Sequence, residues 1–440
     1  MARMEIRGVS IDSRTIQAGE LFVAIKGDRF DGHDFVPAVM QKGAWGALVE
    51  RSMLESRFSS LGGLKNILPV EDTLYALQEM AYMHRRQFSF PVVGITGSNG
   101  KTTTKEMLAS ILEQKGPVLK NEGNLNNHIG VPLTLLKLNA GHTAAAVEMG
   151  MSAPGEIDTL ARLVGPDIAV ITNVGPAHLE FLKTMDGVAQ AKSEVLDHLK
   201  PGGAAVLNGD DHYFEMLKKK FSGRVLSFGI DGKADVRATD INQGRDFTGF
   251  TLEAFGSQAP IRLRAVGKHN IYNALAAAAA AFATGMTVDA VKKGLDDFVP
   301  FALRSELREV AGRIVLVDCY NANPASMEAA LSTLISLRSG GQVIAVLGDM
   351  LELGKASVEA HRALGAAAAR LGVDVVVIVG PLAKHTAEGA IDAGMARDRV
   401  LEAGSPAGAA ALLKKHSRPG DAVLIKGSRG MKMEKVLEGF

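Results

Sequence analysis

The stretch Pro91–Thr104, Pro-Val-Val-Gly-Ile-Thr-Gly-Ser-Asn-Gly-Lys-Thr-Thr-Thr, constrains the fold more than any other part of the chain. An apolar run, a glycine-rich turn and then a lysine with hydroxyls predict strand, loop and helix start in that order. This is a phosphate-binding loop. Gly97 and Gly100 let the backbone pass close to a polyphosphate, and the exposed N–H groups from Ser98 and Asn99 to Thr103, with the positive end of the helix, face its oxygens. Lys101 adds a full charge, and Thr102 is placed to hold Mg²⁺ through its hydroxyl. The template G-x-x-x-x-G-K-[ST] is met only in part, because Ile95 stands where its first glycine would be. The variant here is T-G-S-N-G-K-T.

A chain of 440 residues exceeds what one hydrophobic core usually serves, so two or three domains are expected. With 49 basic against 48 acidic residues the net charge is +1, and no global field recruits nucleic acid or an anionic membrane. Anion binding must be local. The run Lys218-Lys219-Lys220 reads as a solvated helix end. Cys319 is the single cysteine, so an intramolecular disulfide and a thiolate zinc site are excluded, and a small buried hydrophobe is its plainest reading. The opening Met1–Glu5 lacks the apolar core of a signal peptide, and no apolar run is long enough to span a bilayer; a cytoplasmic chain without stable membrane insertion is expected.

The segment to about residue 87 mixes short apolar runs, Leu21–Ile25 and Ala47–Glu50, with turn residues, and reads as a small α/β domain. Helical periodicity from about Thr73 to Arg86 links it to the strand at Pro91. In residues 88–307, Thr143–Glu148 and Asp167–Thr172 are apolar strands alternating with helical stretches, the pattern of a parallel sheet. Residues 222–266 break that pattern and predict an antiparallel appendage, followed by an alanine-rich buried helix. Residues 308–440 hold strands at Ile314–Val317, Val343–Leu347, Val375–Val379 and Ala422–Ile425, again separated by helices, a second doubly wound unit. The fold class is therefore α/β in three domains: a small N-terminal one, a central phosphate-loop domain on a parallel sheet, and a C-terminal Rossmann-like one.

Ligands of open α/β sheets bind beyond the carboxyl ends of the strands, so a polar residue that closes an apolar run is a site candidate. Glu148 is one, and His178, six residues beyond Thr172, is another. An acid and a neutral imidazole beside bound phosphates suit Mg²⁺, which takes a few protein atoms and completes its octahedron with phosphate and water. Lys192 alone reads as a surface lysine. Asp318 closes a strand and could accept ribose hydroxyls, while Asn321 or Asn323, ahead of Pro324, could cap the following helix.

Together these residues resemble the Mur ligases, the ATP-dependent amide-forming enzymes of peptidoglycan precursor synthesis. The resemblance spans nearly the whole chain: T-G-S-N-G-K-T, Glu148, N-V-G-P-A-H-L-E with A-K-S-E after it, G-K-H-N-I-Y-N-A, Arg304 and D-C-Y-N-A-N-P. Within the family the pattern is nearest to the branch that adds D-alanyl-D-alanine. That pattern is visible in Gly123–Pro132, in Val147–Ser152 and in Leu347–Gly354, whereas the D-N-P-R motif of the branch adding the third amino acid is missing.

The resemblance implies residue roles that spacing does not give. Thr102 and Glu148 would hold one Mg²⁺, and His178 a second with Lys192 as a carbamylated lysine. Lys101, His178, Lys192 and Arg304 would be catalytic. His269, Asn270 and Asn273 would face adenine, Arg304 the γ-phosphate, and Asp318 with Asn321 the ribose. Ser13 and Arg14, in a D-S-R segment, would bind uridine; Asn124, Asn126 and Asn127 the acceptor; Ser428 and Arg429 the incoming dipeptide. Because Asp12 comes early, the opening helix and strand usual in the family's first domain are expected to be shortened or missing. The implied partners are UDP-N-acetylmuramoyl tripeptide and D-alanyl-D-alanine, with ATP and two Mg²⁺ ions, for a chain acting as a monomer without nucleic acid.

Overall fold

The computed structural model describes residues 6–54, 66–301 and 303–440; the opening Met1–Glu5, read above for a signal core, lies outside them. Among the described residues three sheets form. The first holds β1 (Val9–Ser10), β2 (Leu21–Val23), β3 (Gly46–Glu50) and β4 (Ile67–Val70), side by side in chain order and all parallel. A helix, Thr73–Arg85, carries the chain to the next sheet; the Asp72 carboxylate caps it by accepting from the Tyr75 N–H. Its last residue, Arg85, is buried and donates to the carbonyls of Val164 and Phe88, which fixes the helix against the central domain.

The central sheet contains β5 (Val92–Thr96), β6 (Val118–Lys120), β7 (Ala144–Glu148), β8 (Ile168–Ile171), β9 (Ala204–Asn208), β10 (Arg224–Gly229), β11 (Val236–Gln243), β12 (Thr248–Ala254) and β13 (Ser257–Leu263). Their order is β13-β12-β11-β10-β9-β8-β5-β7-β6. Strands β5, β7 and β8 are buried along their whole length, as an unbroken apolar run covered by helices on both faces must be. Residues alternate between two cores: Val93 and Ile95 pack under the alanine-rich helix Lys268–Ala283, Val92 and Val147 under the opposite layer. Ala276–Ala281 are all fully buried, and the lack of branched side chains lets this helix lie close to its neighbours. The antiparallel appendage expected at 222–266 is not separate. β10 joins β9 in parallel, and β11 to β13 extend the same sheet, with only β11-β12-β13 antiparallel.

The third sheet holds β14 (Glu306–Val310), β15 (Arg313–Asp318), β16 (Val343–Gly348), β17 (Val375–Val379), β18 (Val400–Ala403) and β19 (Ala422–Lys426), in the order β14-β15-β19-β16-β17-β18. All pairings are parallel except the β14-β15 hairpin at one edge. The sheet thus begins at Glu306, on a half-exposed strand without an apolar run to announce it. Cys319 is buried, its thiol pushed up to about 12 mainly by desolvation, and its Sγ donates to the Ile425 carbonyl.

Candidate active site

The three elements that frame the phosphate loop are adjacent strands, β8-β5-β7, whose carboxyl ends share one rim. Between β5 and the helix Lys101–Leu112 the backbone turns at Gly97 (φ 146°) and Gly100 (φ 80°). A Cβ on Gly97 would lie 1.9 Å from Thr172 Oγ1, and one on Gly100 2.1 Å from Asn273 Oδ1, so no other residue fits either place. The loop after β8 pins this turn. Asn173 Oδ1 accepts from the Asn99 N–H at 3.0 Å, the Thr172 hydroxyl donates to the Asn99 carbonyl at 2.6 Å, and Ser98 Oγ pairs with Gly175. Lys101 Nζ donates to the Gly97 carbonyl at 2.8 Å. Burial, with Arg304 in the same sense and Glu148 against, holds its ammonium below the usual lysine range.

Glu148 at the end of β7 accepts from Thr102 Oγ1 at 2.7 Å and from Asn126 Nδ2 at 2.8 Å, while Asn121 bonds its backbone on both sides. Glu148 and Thr102 thus present oxygen donors together at the start of the helix. His178, with a left-handed φ of 54°, caps the short helix Leu179–Leu182. Its ring is held down at about 4, first by burial and then by the charges of Lys101 and Lys192, with Glu156 opposing. Lys192 is 1% exposed, so its bare reading as a surface lysine is corrected: it lies in the last turn of the helix Met185–Ser193, on the buried side. Desolvation first, and then Lys101, drives its pKa well below that of a free lysine. Among the described residues no three His, Cys, Asp or Glu side chains converge as a metal cluster.

The third sheet closes the other wall of a cleft of about 450 Å³, within the range of small-molecule sites. Asp318 and Lys426 end the paired strands β15 and β19 as register partners, and Lys426 Nζ donates to the Asp318 carboxylate and to the Asn321 carbonyl. Asp318 also accepts from the Ser305 N–H at 3.2 Å. Arg304 stacks on Tyr320, 3.8 Å from the ring centroid, and its buried Nε has no hydrogen-bond partner. A guanidinium N–H without a partner, on a residue that lines a polar cleft, suits an anion. Asn323 caps the helix Pro324–Ser336 through a reciprocal bond with Ser326, and its Nδ2 reaches across to Asn99 Oδ1 at 2.7 Å. His269, Asn270 and Asn273 line the same cleft; Asn273 donates to Asn270, and His269 Nε2 meets Ser305 Oγ at 3.2 Å. Thr103, Asn124, Asn126 and Asn321 line it as well.

The remaining candidates lie elsewhere. Arg14 pairs bidentately with Asp12, which lowers the Asp12 carboxyl to about 2, and Ser13 offers its carbonyl to Lys42, all on the surface of the first domain. Asn127 Oδ1 accepts from the N–H groups of Ile129 and Gly130. Ser428 is buried and accepts from the Leu351 N–H, while Arg429 pairs with Glu434. Sequence reasoning passed over Lys426, Asn173 and Tyr320; for Lys426 the signal was present, a polar residue that closes an apolar run.

Three family models divide the chain: "Mur ligase family, catalytic domain" at 5–85, "Mur ligase middle domain" at 95–281 and "Mur ligase, glutamate ligase domain" at 303–429. The chain belongs to the Mur ligase family. Among curated relatives, the UDP-N-acetylmuramoyl-tripeptide--D-alanyl-D-alanine ligase of Bacillus subtilis is 38% identical over 98% of this chain and 93% of its own. The crystal structure of MurF from Acinetobacter baumannii covers all of this chain with 94% of its own, at 36% identity and a TM-score of 0.90. MurF ligase from Thermotoga maritima, solved in complex with ADP, is 32% identical with a TM-score of 0.88, covering 100% of this chain and 98% of its own.

Proposed function

We propose that this chain joins D-alanyl-D-alanine to the terminal carboxylate of UDP-N-acetylmuramoyl tripeptide, with ATP converted to ADP and phosphate, in peptidoglycan precursor synthesis. The observation that carries the reading is one cleft whose walls come from two domains: the phosphate loop with Glu148 on one side, Arg304, Asp318 and Lys426 on the other. The tripeptide carboxylate attacks the γ-phosphorus and ADP leaves, giving an acyl phosphate. The neutral amine of the dipeptide then attacks the acyl carbon, phosphate departs with the C–O bond electrons, and the amine proton is released. No protein nucleophile is required.

The chain's own task is to bring two anions together. Lys101, freed from the Gly97 carbonyl, and Arg304, with its unpartnered Nε, are the cations that offset this repulsion and the charge of phosphoryl transfer. Bound Mg²⁺ supplies further neutralisation of the phosphate oxygens. Thr102 and Glu148 fit one ion, since both are oxygen donors already 2.7 Å apart. His178 and Lys192 fit a second poorly as they stand, because a neutral amine is a weak donor for a hard cation; carbamylation of Lys192 would replace it by a carboxylate. His269, Asn270 and Asn273 take the adenine side, Asp318 and Asn321 the ribose. Ser13 and Arg14 serve the uridine end, with residues 1–87 as the domain for it, Asn124, Asn126 and Asn127 the acceptor, and Ser428 and Arg429 the dipeptide, which residues 308–440 receive. A monomer in the cytoplasm is sufficient for this reaction; among the described residues no helix is long and apolar enough to cross a membrane.

The test is ADP release with each substrate omitted in turn. Release is expected to depend on the acceptor and to reach its full rate only when the dipeptide is added. Rapid release from ATP alone would instead mark a plain nucleotidase.

A further inference from the structure

The loop between β16 and the helix Ser357–Leu371 is held from several directions. Asp349, itself buried, accepts from the Ala383 N–H at 2.6 Å. The Met350 N–H donates to Nε2 of buried His361 at 3.0 Å, and the other nitrogen of that ring meets the Ser357 carbonyl at 2.7 Å. The Leu351 N–H donates to Ser428 Oγ at 2.9 Å, and the Ser428 N–H returns to the Asp349 carbonyl at 3.0 Å. The Asp349 carbonyl and the N–H groups of Met350 and Leu351, the three residues before Glu352, are thereby held. Glu352 itself has φ 64°, a conformation disfavoured for any residue with a Cβ, and residues so constrained gather where a side chain must be aimed.

Its target is the rim of the central domain. Glu352 Oε2 lies 3.9 Å from His178 Nδ1, and a Cβ on Gly354 would lie 3.5 Å from Cβ of Glu180. The His178 contact is too long for a hydrogen bond, and the Glu352 side chain is 78% exposed. A rigid loop therefore carries an unsaturated carboxylate to the mouth of the gap between the two domains. A dipeptide in neutral water is a zwitterion, and its ammonium needs an anion if it is to stop beside the cationic phosphate site. Arg429, one residue past the Ser428 that anchors the loop, is paired at the surface with Glu434 and would exchange that partner for the dipeptide carboxylate.

We propose that Glu352 receives the ammonium of the incoming dipeptide and sets its amine at the interdomain rim. This rests on the ligase reading above. The experiment is steady-state kinetics of the full chain, wild type against Glu352→Gln and Glu352→Asp, at saturating ATP and acceptor, with thermal melts of each. Glu352→Gln should raise the KM for D-alanyl-D-alanine roughly 10- to 100-fold, the weight of a lost charge-assisted bond, with the KM values of ATP and acceptor unchanged. Glu352→Asp should recover part of that loss. Inhibition by N-acetyl-D-alanyl-D-alanine, which has no ammonium, should be equally weak in wild type and Glu352→Gln. An unchanged dipeptide KM, a fall in kcat alone, or an equal rise in all three KM values would overturn the assignment and make Glu352 an interdomain contact only. A wild type that forms no amide with the dipeptide would overturn the ligase reading itself.

Discussion

Lys192 sits inside the protein beside the charge of Lys101, and both circumstances favour its neutral amine. Only the neutral amine adds CO₂, and the carbamate so formed would place a negative charge among Lys101, His178 and the phosphates. Because the pKa is lowered, a larger share of the amine is in that reactive form at a given pH than for a solvated lysine. With ¹³C-bicarbonate the wild type should show a bound carbamate carbon that Lys192→Arg lacks, and Lys192→Ala should lose about 100-fold or more in turnover, as when a group stabilising transition-state charge is removed. Full turnover of Lys192→Ala, or no bound carbon, would remove the carbamate. Spacing along the chain could not mark this residue, since burial of a helix face depends on what packs against it. Lys426 is the contrary case. It closes an apolar strand as Glu148 and Asp318 do, and the rule that selected those two selects it as well.

At the scale of elements, the turn from β5 into the helix Lys101–Leu112 carries the most specific requirement. Gly100→Ala combines a left-handed φ, which costs a residue with a Cβ about 1–2 kcal/mol, with an approach of 2.1 Å to Asn273 Oδ1. The expected result is a melting temperature lower by a few degrees and an ATP KM at least ~10-fold higher. Gly404→Ala, where the added Cβ meets nothing within 4 Å, should leave both unchanged. Equal behaviour of the two variants would contradict the clash. The strands next to this turn were legible because a parallel strand buried on both faces must be apolar throughout, as β7 and β8 are. Edge strands carry no such demand. β14, with two exposed residues of five, and β18 at the far edge left no comparable run to read. The parallel joining of β10 was equally hidden, because local pattern tells that a strand exists and leaves its neighbour unspecified.

For the whole molecule, the decisive fact is that neither domain holds the cleft alone. Asn323 ties the third sheet to Asn99 of the phosphate loop, Glu352 comes within 3.9 Å of His178, and the alanine-rich helix brings His269 and Asn273 to the same cleft. An acyl phosphate is open to hydrolysis, so a site walled by two domains suits a reaction that must exclude water until the amine arrives. The central claim is that the acceptor carboxylate itself attacks the γ-phosphorus. It is tested most directly with acceptor labelled by ¹⁸O in its terminal carboxylate, in the presence of ATP and D-alanyl-D-alanine, and mass analysis of the phosphate released. Attack by the carboxylate predicts one heavy oxygen in each phosphate and amide product in equal amount; phosphate free of label, formed while ADP accumulates, would contradict it.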